Sequence, residues 1–304
     1  MADVKEAAVR SPSGSSPRNP RMRRRLTKWM FMAPLVGLFA VFFAYPFGYS
    51  VWISFTNLTI TKPGQTRFVG IDQYLSLASN NTYIDSLRNT FLFVIGAVGL
   101  ELVIGMVIAM ALYRQRWLKN ATRAVLLTPM FVTPIAVGLM FRFLLNQQLG
   151  LIPRLLTVFG VTIDFFGPRL ALVSIVLIDV WQWTPLMILM LLAGLQSLPA
   201  EPYEAARVDG ADAWFTFRNV TLPLLKPVIV VAVIIRALDA FKVFEYVFAI
   251  TKGGPGTATE TIQYQVYKTG FQFFRLGEAA AMALVLVVIV LLIVVVGYRR
   301  MVPR

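Results

Sequence analysis

The sequence predicts an all-α membrane protein with six transmembrane helices. Of its 304 residues, 57% are hydrophobic and only 14% are charged, and the mean hydropathy is +0.68. A soluble globular protein has about 25% charged residues, so this chain lacks the polar surface that a soluble domain of its size needs. Six stretches are apolar over the roughly 20 residues that a helix needs to cross a bilayer.

These six apolar stretches follow one another with short connections. We expect transmembrane helices at about 29–53, 91–113, 124–145, 170–195, 228–250 and 279–297. The loops between them leave no room for a separate outer domain, and the chain has no GxxxxGK[ST] motif for a P-loop. The predicted organisation is a disordered basic segment at 1–28 and a six-helix membrane domain at 29–304, with a cytoplasmic loop at 196–227.

The positive residues indicate how the chain is oriented. Eighteen of the 29 Lys and Arg residues fall on the side of both termini, and eight fall on the other side. The positive-inside rule therefore predicts cytoplasmic termini, and it explains the net charge of +14 more simply than nucleic-acid binding does. A cleaved signal peptide is the alternative for the N-terminus. Its apolar region would be only about 7–15 residues, shorter than the run from Trp29 to Ile53.

The chain contains neither Cys nor His. This excludes disulfides, thiol catalysis, Cys/His zinc sites and Ser–His–Asp triads. We expect no catalytic residue, no metal site and no cofactor in this chain.

The loop from Leu195 to Pro227 has the features of a compact helix–turn–helix. Its first helix would begin near Pro202, with acidic residues at its positive end, and would end at Gly210 in a left-handed cap. A second short helix from about Ala211 to Val220 would bury three aromatic residues, Trp214, Phe215 and Phe217. Two prolines, Pro223 and Pro227, would then start the fifth transmembrane helix. We interpret the loop as a docking element for a cytoplasmic partner; an amphipathic loop on the membrane surface is the alternative.

The same loop carries a motif in a fixed register. Glu204-Ala205-Ala206, Asp209-Gly210-Ala211 and Leu222-Pro223 resemble the EAA loop of ABC importer permeases. The resemblance implies the type I importer permease fold, in which these six residues from Glu204 to Ala211 belong to a coupling helix that docks on an ATP-hydrolysing subunit.

Further motifs extend the resemblance over the span from about residue 29 to residue 300. Ala44-Tyr45-Pro46, Arg123 with Pro129 and Pro134, Thr251-Lys252-Gly253-Gly254-Pro255 and Gly277 with the alanines after it are similar to signatures of the carbohydrate-uptake branch. They resemble those of its maltose-permease-like first subunit.

Charged residues inside the predicted fifth helix indicate a polar path. Arg236, Asp239, Lys242 and Glu245 alternate in sign at i,i+3 spacing, which allows ion pairs between neighbours. Intramembrane charges usually face the bundle interior or a water-filled path. We favour the substrate path for Asp239 and Lys242; for Arg236 and Glu245, path lining and structural pairing stay equally open. The resemblance implies that Asp239, Ala240 and Val243 match positions where members touch sugar.

The predicted fourth helix offers aromatic and amide side chains near its middle. Aromatic faces and amide or carboxylate partners suit the apolar faces and hydroxyls of sugars. Trp181, Gln182 and Trp183 also resemble the family's substrate-contacting stretch. Interfacial anchoring is the alternative for these tryptophans.

The predicted second helix carries two further features. Glu101 is a lone carboxylate that we expect to pair with Lys242 or Arg236, or to lie in a polar pocket. Gly105 and Ala109, four residues apart, predict a small-residue packing face.

These patterns predict a non-catalytic permease subunit of an ATP-driven importer for a sugar, polyol or related polyhydroxy compound. The resemblance implies a bacterial cytoplasmic-membrane location and the partners of such a complex: a second permease, two ATP-binding subunits holding ATP and Mg²⁺, and an extracytoplasmic binding protein. Two rivals remain. An ion-coupled secondary transporter would use the charges of the fifth helix, and a membrane docking subunit would bind its partner without transport.

Overall fold

The computed structural model describes residues 20–114 and 119–301, and these residues form helices joined by turns. One isolated antiparallel bridge pairs Thr56 with Phe68. The α-helices are α1 (Pro20–Phe39), α2 (Tyr45–Ser54), α3 (Asp72–Ala78), α4 (Asn81–Arg114), α5 (Lys119–Leu127), α6 (Pro134–Leu144), α7 (Leu151–Val158), α8 (Ala171–Gln196), α9 (Glu201–Val208), α10 (Ala213–Thr216), α11 (Leu222–Ala240), α12 (Ile262–Tyr267) and α13 (Leu276–Met301).

Five helical runs of the described residues are long and apolar enough to cross a membrane. They are Trp29–Ser54, Asn81–Arg114, Ala171–Gln196, Ala213–Ala240 and Leu276–Gly297. A sixth span exists if Ala124–Phe131 and Pro134–Leu144, bent by 98° at their junction, are counted together. The prediction of an all-α membrane fold is confirmed, and the third span is bent rather than straight.

The first apolar helix begins earlier than the sequence indicated. α1 starts at Pro20, so residues 20–28 are helical, where we expected the disordered segment of residues 1–28. The rest of that segment, residues 1–19, lies outside the described residues. A π-helical turn, Ala40–Ala44, joins α1 to α2 and ends two residues before Pro46. A proline lacks the N–H for the helical bond and its ring crowds the carbonyl four residues earlier, and the wider π turn accommodates both.

The bend in the third span has a local cause at Thr133. Its ψ angle of 137° is extended, as expected for a residue that precedes proline, because the ring of Pro134 disfavours the helical conformation there. A 3₁₀ turn, Thr128–Phe131, ends the first half, and α6 starts at the proline. The helix predicted at 124–145 is therefore broken in its middle.

The second and fourth spans, α4 and α8, pack against each other closely. A Cβ at Gly105 would lie 2.9 Å from Cγ of Met187 and 3.2 Å from its Cβ, and Ala109 is completely buried. The predicted small-residue packing face on the second span is confirmed, and α8 is the helix that it meets. α8 continues through Pro185 without interruption.

The fifth span differs from its prediction at both ends. α10, a π-helical turn at Phe217–Thr221, and α11 follow without a break, so the span begins at Ala213 rather than at 228. The π turn again ends two residues before a proline, here Pro223. α11 ends at Ala240, not at 250, and the chain turns before it becomes helical again at 245–251.

Candidate functional site

The short helix α9 confirms the predicted cap at Gly210. The N–H of Ala211 donates to the carbonyl of Ala206 at 2.9 Å, and the N–H of Gly210 donates to the carbonyl of Arg207 at 3.2 Å. Gly210 has a φ of +73°, so the pair of bonds forms a Schellman motif with glycine at the left-handed position. The sequence predicted this helix end correctly because the backbone conformation there favours glycine.

α9 presents an exposed acidic and small-residue face. Glu204, Ala205, Asp209 and Gly210 are exposed, and Ala206 on the opposite side is buried. The hydroxyl of Tyr203 donates to Oγ1 of Thr221 at 3.1 Å, which ties α9 to the start of the fifth span. α9 is therefore anchored on one side and open to a partner on the other.

The segment after α9 does not match the predicted second buried helix. Asp212 caps α10 by accepting from the N–H of Phe215 at 2.6 Å, but Trp214 and Phe215 are 66% and 54% exposed. Trp214 packs on Phe217 with a ring-centroid distance of 5.7 Å. The prediction that these aromatic residues are buried was wrong for Trp214 and Phe215, because α10 extends the fifth span instead of folding back.

A buried cluster of charges lies where α4, α8 and α11 meet. Arg236 is 2% exposed; its Nε lies 2.8 Å from Oε2 of Glu101, and its Nη2 donates to Oε1 of Glu101 at 2.9 Å. The same Nη2 contacts Asp179, and Nη1 lies 3.4 Å from Oδ2 of Asp239. One guanidinium thus joins carboxylates from three helices, and Glu101 pairs with Arg236, one of its two predicted partners.

A hydrogen-bonded chain of polar side chains lies beside this cluster. The indole N–H of Trp183 donates to the hydroxyl of Tyr246 at 3.2 Å, and that hydroxyl donates to Oε1 of Gln182 at 2.5 Å. The amide of Gln182 donates in turn to the backbone carbonyl of Val132 at 2.6 Å. Val132 lies just before the bend of the third span, where the helix is broken and its carbonyl has no helical N–H to accept from. The side chain of Gln182 supplies the missing hydrogen-bond donor.

A cavity of about 340 Å³ opens next to the cluster, near the middle of α8. Its lining includes six of the eight residues predicted for the substrate path: Trp183, Asp239, Ala240, Lys242, Val243 and Glu245. Gln182 is buried and reaches the cavity through Tyr246. Trp181 is 43% exposed, packs edge-on against Phe141, and does not line the cavity.

The charge pattern of the fifth span is only partly as predicted. Arg236 pairs with Asp239, and Nζ of Lys242 lies 3.1 Å from Oδ1 of Asp239, both at the expected i,i+3 spacing. Lys242 lies in the turn after α11, and Glu245 lies in the helical segment that follows it. Within the described residues Glu245 has no ion pair, so the predicted pairing between neighbours holds for Arg236, Asp239 and Lys242 and stops there.

The cavity combines an aromatic face with hydrogen-bond acceptors. The guanidinium carbon of Arg236 lies 5.5 Å from the centre of the Trp183 ring, and Trp183 lines the cavity. Asp239 is 43% exposed, and Glu245 is also exposed. Carboxylates accept hydrogen bonds, and an aromatic face binds apolar C–H groups, so this wall suits a compound with hydroxyl groups around an apolar ring.

Several residues of the site were not among those predicted from the sequence. Asp179 and Tyr246 belong to the two polar networks, and Pro134, Phe244 and Gln263 line the cavity. Asp179 had a signal, since it is an acidic residue within an apolar helix. Tyr246, Phe244 and Gln263 are ordinary residues of their segments, and only the turn after α11 brings them to the cavity.

Comparison with known proteins agrees with the fold and adds a family. Residues 101–304 match the family model described as binding-protein-dependent transport system inner membrane component. The chain is 36% identical over 252 residues to a trehalose/maltose transport system permease protein of Thermococcus litoralis, covering 82% of this chain and 84% of that protein. It is 31% identical over 277 residues to a trehalose transport system permease protein of Mycobacterium tuberculosis, covering 91% and 87%.

A solved structure shows a similar fold. It is a chain of a bacterial alginate ABC transporter, crystallised in complex with an alginate pentasaccharide-bound periplasmic protein. The match has a TM-score of 0.78 at 22% sequence identity and covers 92% of this chain and 96% of that one.

Proposed function

The chain belongs to the family of binding-protein-dependent transport system inner membrane components, and from this we propose that it is the permease subunit of an ATP-driven sugar importer. The observation that carries the proposal is the continuity between α9 and the cavity. α9 connects α8 to the fifth span, and these two elements carry Asp179, Trp183, Arg236 and Asp239 of the cavity wall. A displacement of α9 would therefore be transmitted directly to the cavity wall by α8 and the fifth span.

The exposed face of α9 supports an ATPase as the cytoplasmic partner. Glu204, Ala205 and Asp209 give a surface of low side-chain bulk and negative charge, held by the Schellman cap and by the Tyr203–Thr221 hydrogen bond. We place two ATP-binding subunits in the complex, with ATP and Mg²⁺ bound by them. A single coupling loop serves one ATPase, so a second permease serves the other.

The substrate is assigned as a sugar, polyol or related polyhydroxy compound. Two relatives are named for trehalose or maltose transport. The cavity offers an aromatic face and exposed carboxylates for such a ligand. An extracytoplasmic binding protein would deliver the ligand to this complex in the cytoplasmic membrane of a bacterium.

Alternating access follows from these parts. When ATP binding draws the ATPases together, α9 moves with its ATPase and pulls the cytoplasmic ends of α8 and the fifth span. The cavity between these helices then opens outward, accepts the ligand, and returns to the inward orientation after hydrolysis. The chain itself forms no covalent bond with the ligand.

Purification and uptake test this proposal together. The tagged chain, expressed with its complex, should co-purify with an ATPase and support ATP-dependent uptake of trehalose or maltose into proteoliposomes supplied with the binding protein. Glu204→Lys should remove both properties by reversing the charge of the docking face. Glu201→Lys is the matched control, since it makes the same change at another exposed carboxylate of α9, and it should co-purify normally. Uptake by the purified chain alone, without an ATPase, would contradict the proposal.

A further inference from the structure

Among the described residues that line the cavity, two are basic, Arg236 and Lys242, and each already contacts a carboxylate. Arg236 carries three side-chain nitrogens, and each lies against an acid: Nε and Nη2 against Glu101, Nη2 also against Asp179, and Nη1 against Asp239. Each side-chain nitrogen of this buried guanidinium therefore already faces a carboxylate, and only Nη1, whose contact with Asp239 is 3.4 Å long, keeps a second N–H. Its remaining surface faces the ring of Trp183.

Lys242 is the second cation among the described lining residues, and it also contacts a carboxylate. Its Nζ lies 3.1 Å from Oδ1 of Asp239. Asp179, Asp239 and Glu245 line the cavity, and Glu101 lies directly behind Arg236, so acidic groups outnumber basic ones by four to two. An incoming phosphate or carboxylate would therefore meet more carboxylates than cations along this wall.

We propose that this wall selects neutral polyhydroxy ligands and rejects their phosphorylated or carboxylated forms. A sugar hydroxyl donates to the exposed carboxylates of Asp239 and Glu245, whereas a sugar phosphate places like charges together in a partly desolvated site, which disfavours its binding. The inference rests on the proposed function and narrows its substrate class. Arg236 holds three helices together, Lys242 is paired with Asp239, and neither acts as an anion receptor.

Direct binding to the purified importer tests the proposal without the selectivity of the binding protein. Labelled trehalose and trehalose 6-phosphate, with glucose and glucose 6-phosphate as a second pair, are titrated onto the nucleotide-free complex in a scintillation-proximity assay. We expect the neutral member of each pair to bind at least about tenfold more tightly, a difference of about 1.4 kcal/mol. Equal or tighter binding of the phosphates would overturn the inference.

Variants assign the selectivity to this wall. Asp239→Asn with Glu245→Gln should lower the preference for the neutral sugar by about tenfold. The double change Asp72→Asn with Asp85→Asn removes two exposed carboxylates outside the cavity and should leave the ratio unchanged. Lys242→Gln should leave the preference for the neutral sugar no smaller than in the wild type, because the lysine does not act as an anion receptor.

The outcomes separate the two proposals. If Lys242→Gln abolishes binding of a sugar phosphate that the wild type binds tightly, the lysine is an anion receptor and the inference fails while the importer stands. If the complex imports no sugar or sugar phosphate with ATP, the proposed function fails and the inference falls with it.

Discussion

Arg236 is the residue on which the interior of the membrane domain depends most. It is buried with Glu101 and Asp179, and its guanidinium contacts carboxylates of α4, α8 and α11. Removing one partner of a buried ion pair leaves the other charge without compensation, which is far more costly than losing an exposed pair. The cluster therefore fixes the mutual position of three helices.

Arg236→Gln should destabilise the folded protein strongly. It leaves Glu101 and Asp179 buried without a cation, and breaking such a pair costs about 3–5 kcal/mol. We expect a lower melting temperature of the purified complex and less folded protein in the membrane. Lys242→Gln is the control: Lys242 is 69% exposed, so its pair with Asp239 contributes at most about 1 kcal/mol. Equal melting temperatures for the two variants would contradict this account.

Two tryptophans of α8 should differ in function. Trp183 lines the cavity and Trp181 packs against Phe141 away from it. Trp183→Ala should reduce sugar uptake by about tenfold or more through loss of the aromatic face, with complex assembly retained. Trp181→Ala should change uptake little. The measurement is the initial uptake rate per assembled complex, and loss of uptake only in Trp181→Ala would reverse the assignment.

For single residues, the sequence indicates which side chains belong to the site better than it indicates which residues they contact. Trp183, Asp239 and Lys242 are recognisable because polar and aromatic groups in an apolar span require an explanation. The pairing of Glu101 with Arg236 joins positions 135 residues apart. Two basic residues were possible partners for Glu101, and only the packing of α4 on α11 decides between them. Trp181 and Trp183 look equivalent in sequence, and the rotation of α8 separates them.

The elements show where local signals suffice and where they fail. Thr133-Pro134 contains the signal for the bend of the third span, since the residue before proline avoids helical geometry. The end of α11 at Ala240 has no such proline or glycine. There the carbonyl of Val243 accepts a hydrogen bond from Oγ1 of Thr261, a contact 18 residues distant that the sequence alone does not reveal.

The contact between α4 and α8 gives a prediction at the same scale. Gly105→Leu should separate the two helices, because even a Cβ there would lie 2.9 Å from Met187. Overpacking of this kind costs about 1–3 kcal/mol. Gly99→Leu is the matched control on the same helix, because a Cβ at Gly99 would meet no atom within 4 Å. Thermal aggregation followed by size-exclusion chromatography should show a lower midpoint for Gly105→Leu alone.

For the whole molecule, charge distribution is the strongest sequence signal. The excess of Lys and Arg on the side of both termini predicts the topology without any packing information. Composition likewise predicts the all-helical membrane fold, which needs no side-chain detail. The arrangement of the helices around the cavity depends on contacts between distant segments and lies beyond such signals.

Reporter fusions test the proposed orientation. If the C-terminus faces the cytoplasm, as the positive-inside rule predicts, a fluorescent-protein fusion there should be bright and an alkaline-phosphatase fusion there should be inactive. An alkaline-phosphatase fusion after Gly256, in the loop between α11 and α12, should be active. Phosphatase activity at the C-terminus would show that the topology is the opposite of the proposed one, with α9 outside the cytoplasm.

The length of the uninterrupted fifth span determines how far one of its ends moves when the span tilts. Its 28 residues, Ala213–Ala240, form a rod about 40 Å long that carries Trp214 near one end and Asp239 near the other. A tilt of about 10° pivoting at one end of such a rod displaces the other by about 7 Å, roughly the width of a sugar ring. Under the proposed function the span would act as a lever, in which a small displacement of the end next to α9 widens or closes a passage for one ligand.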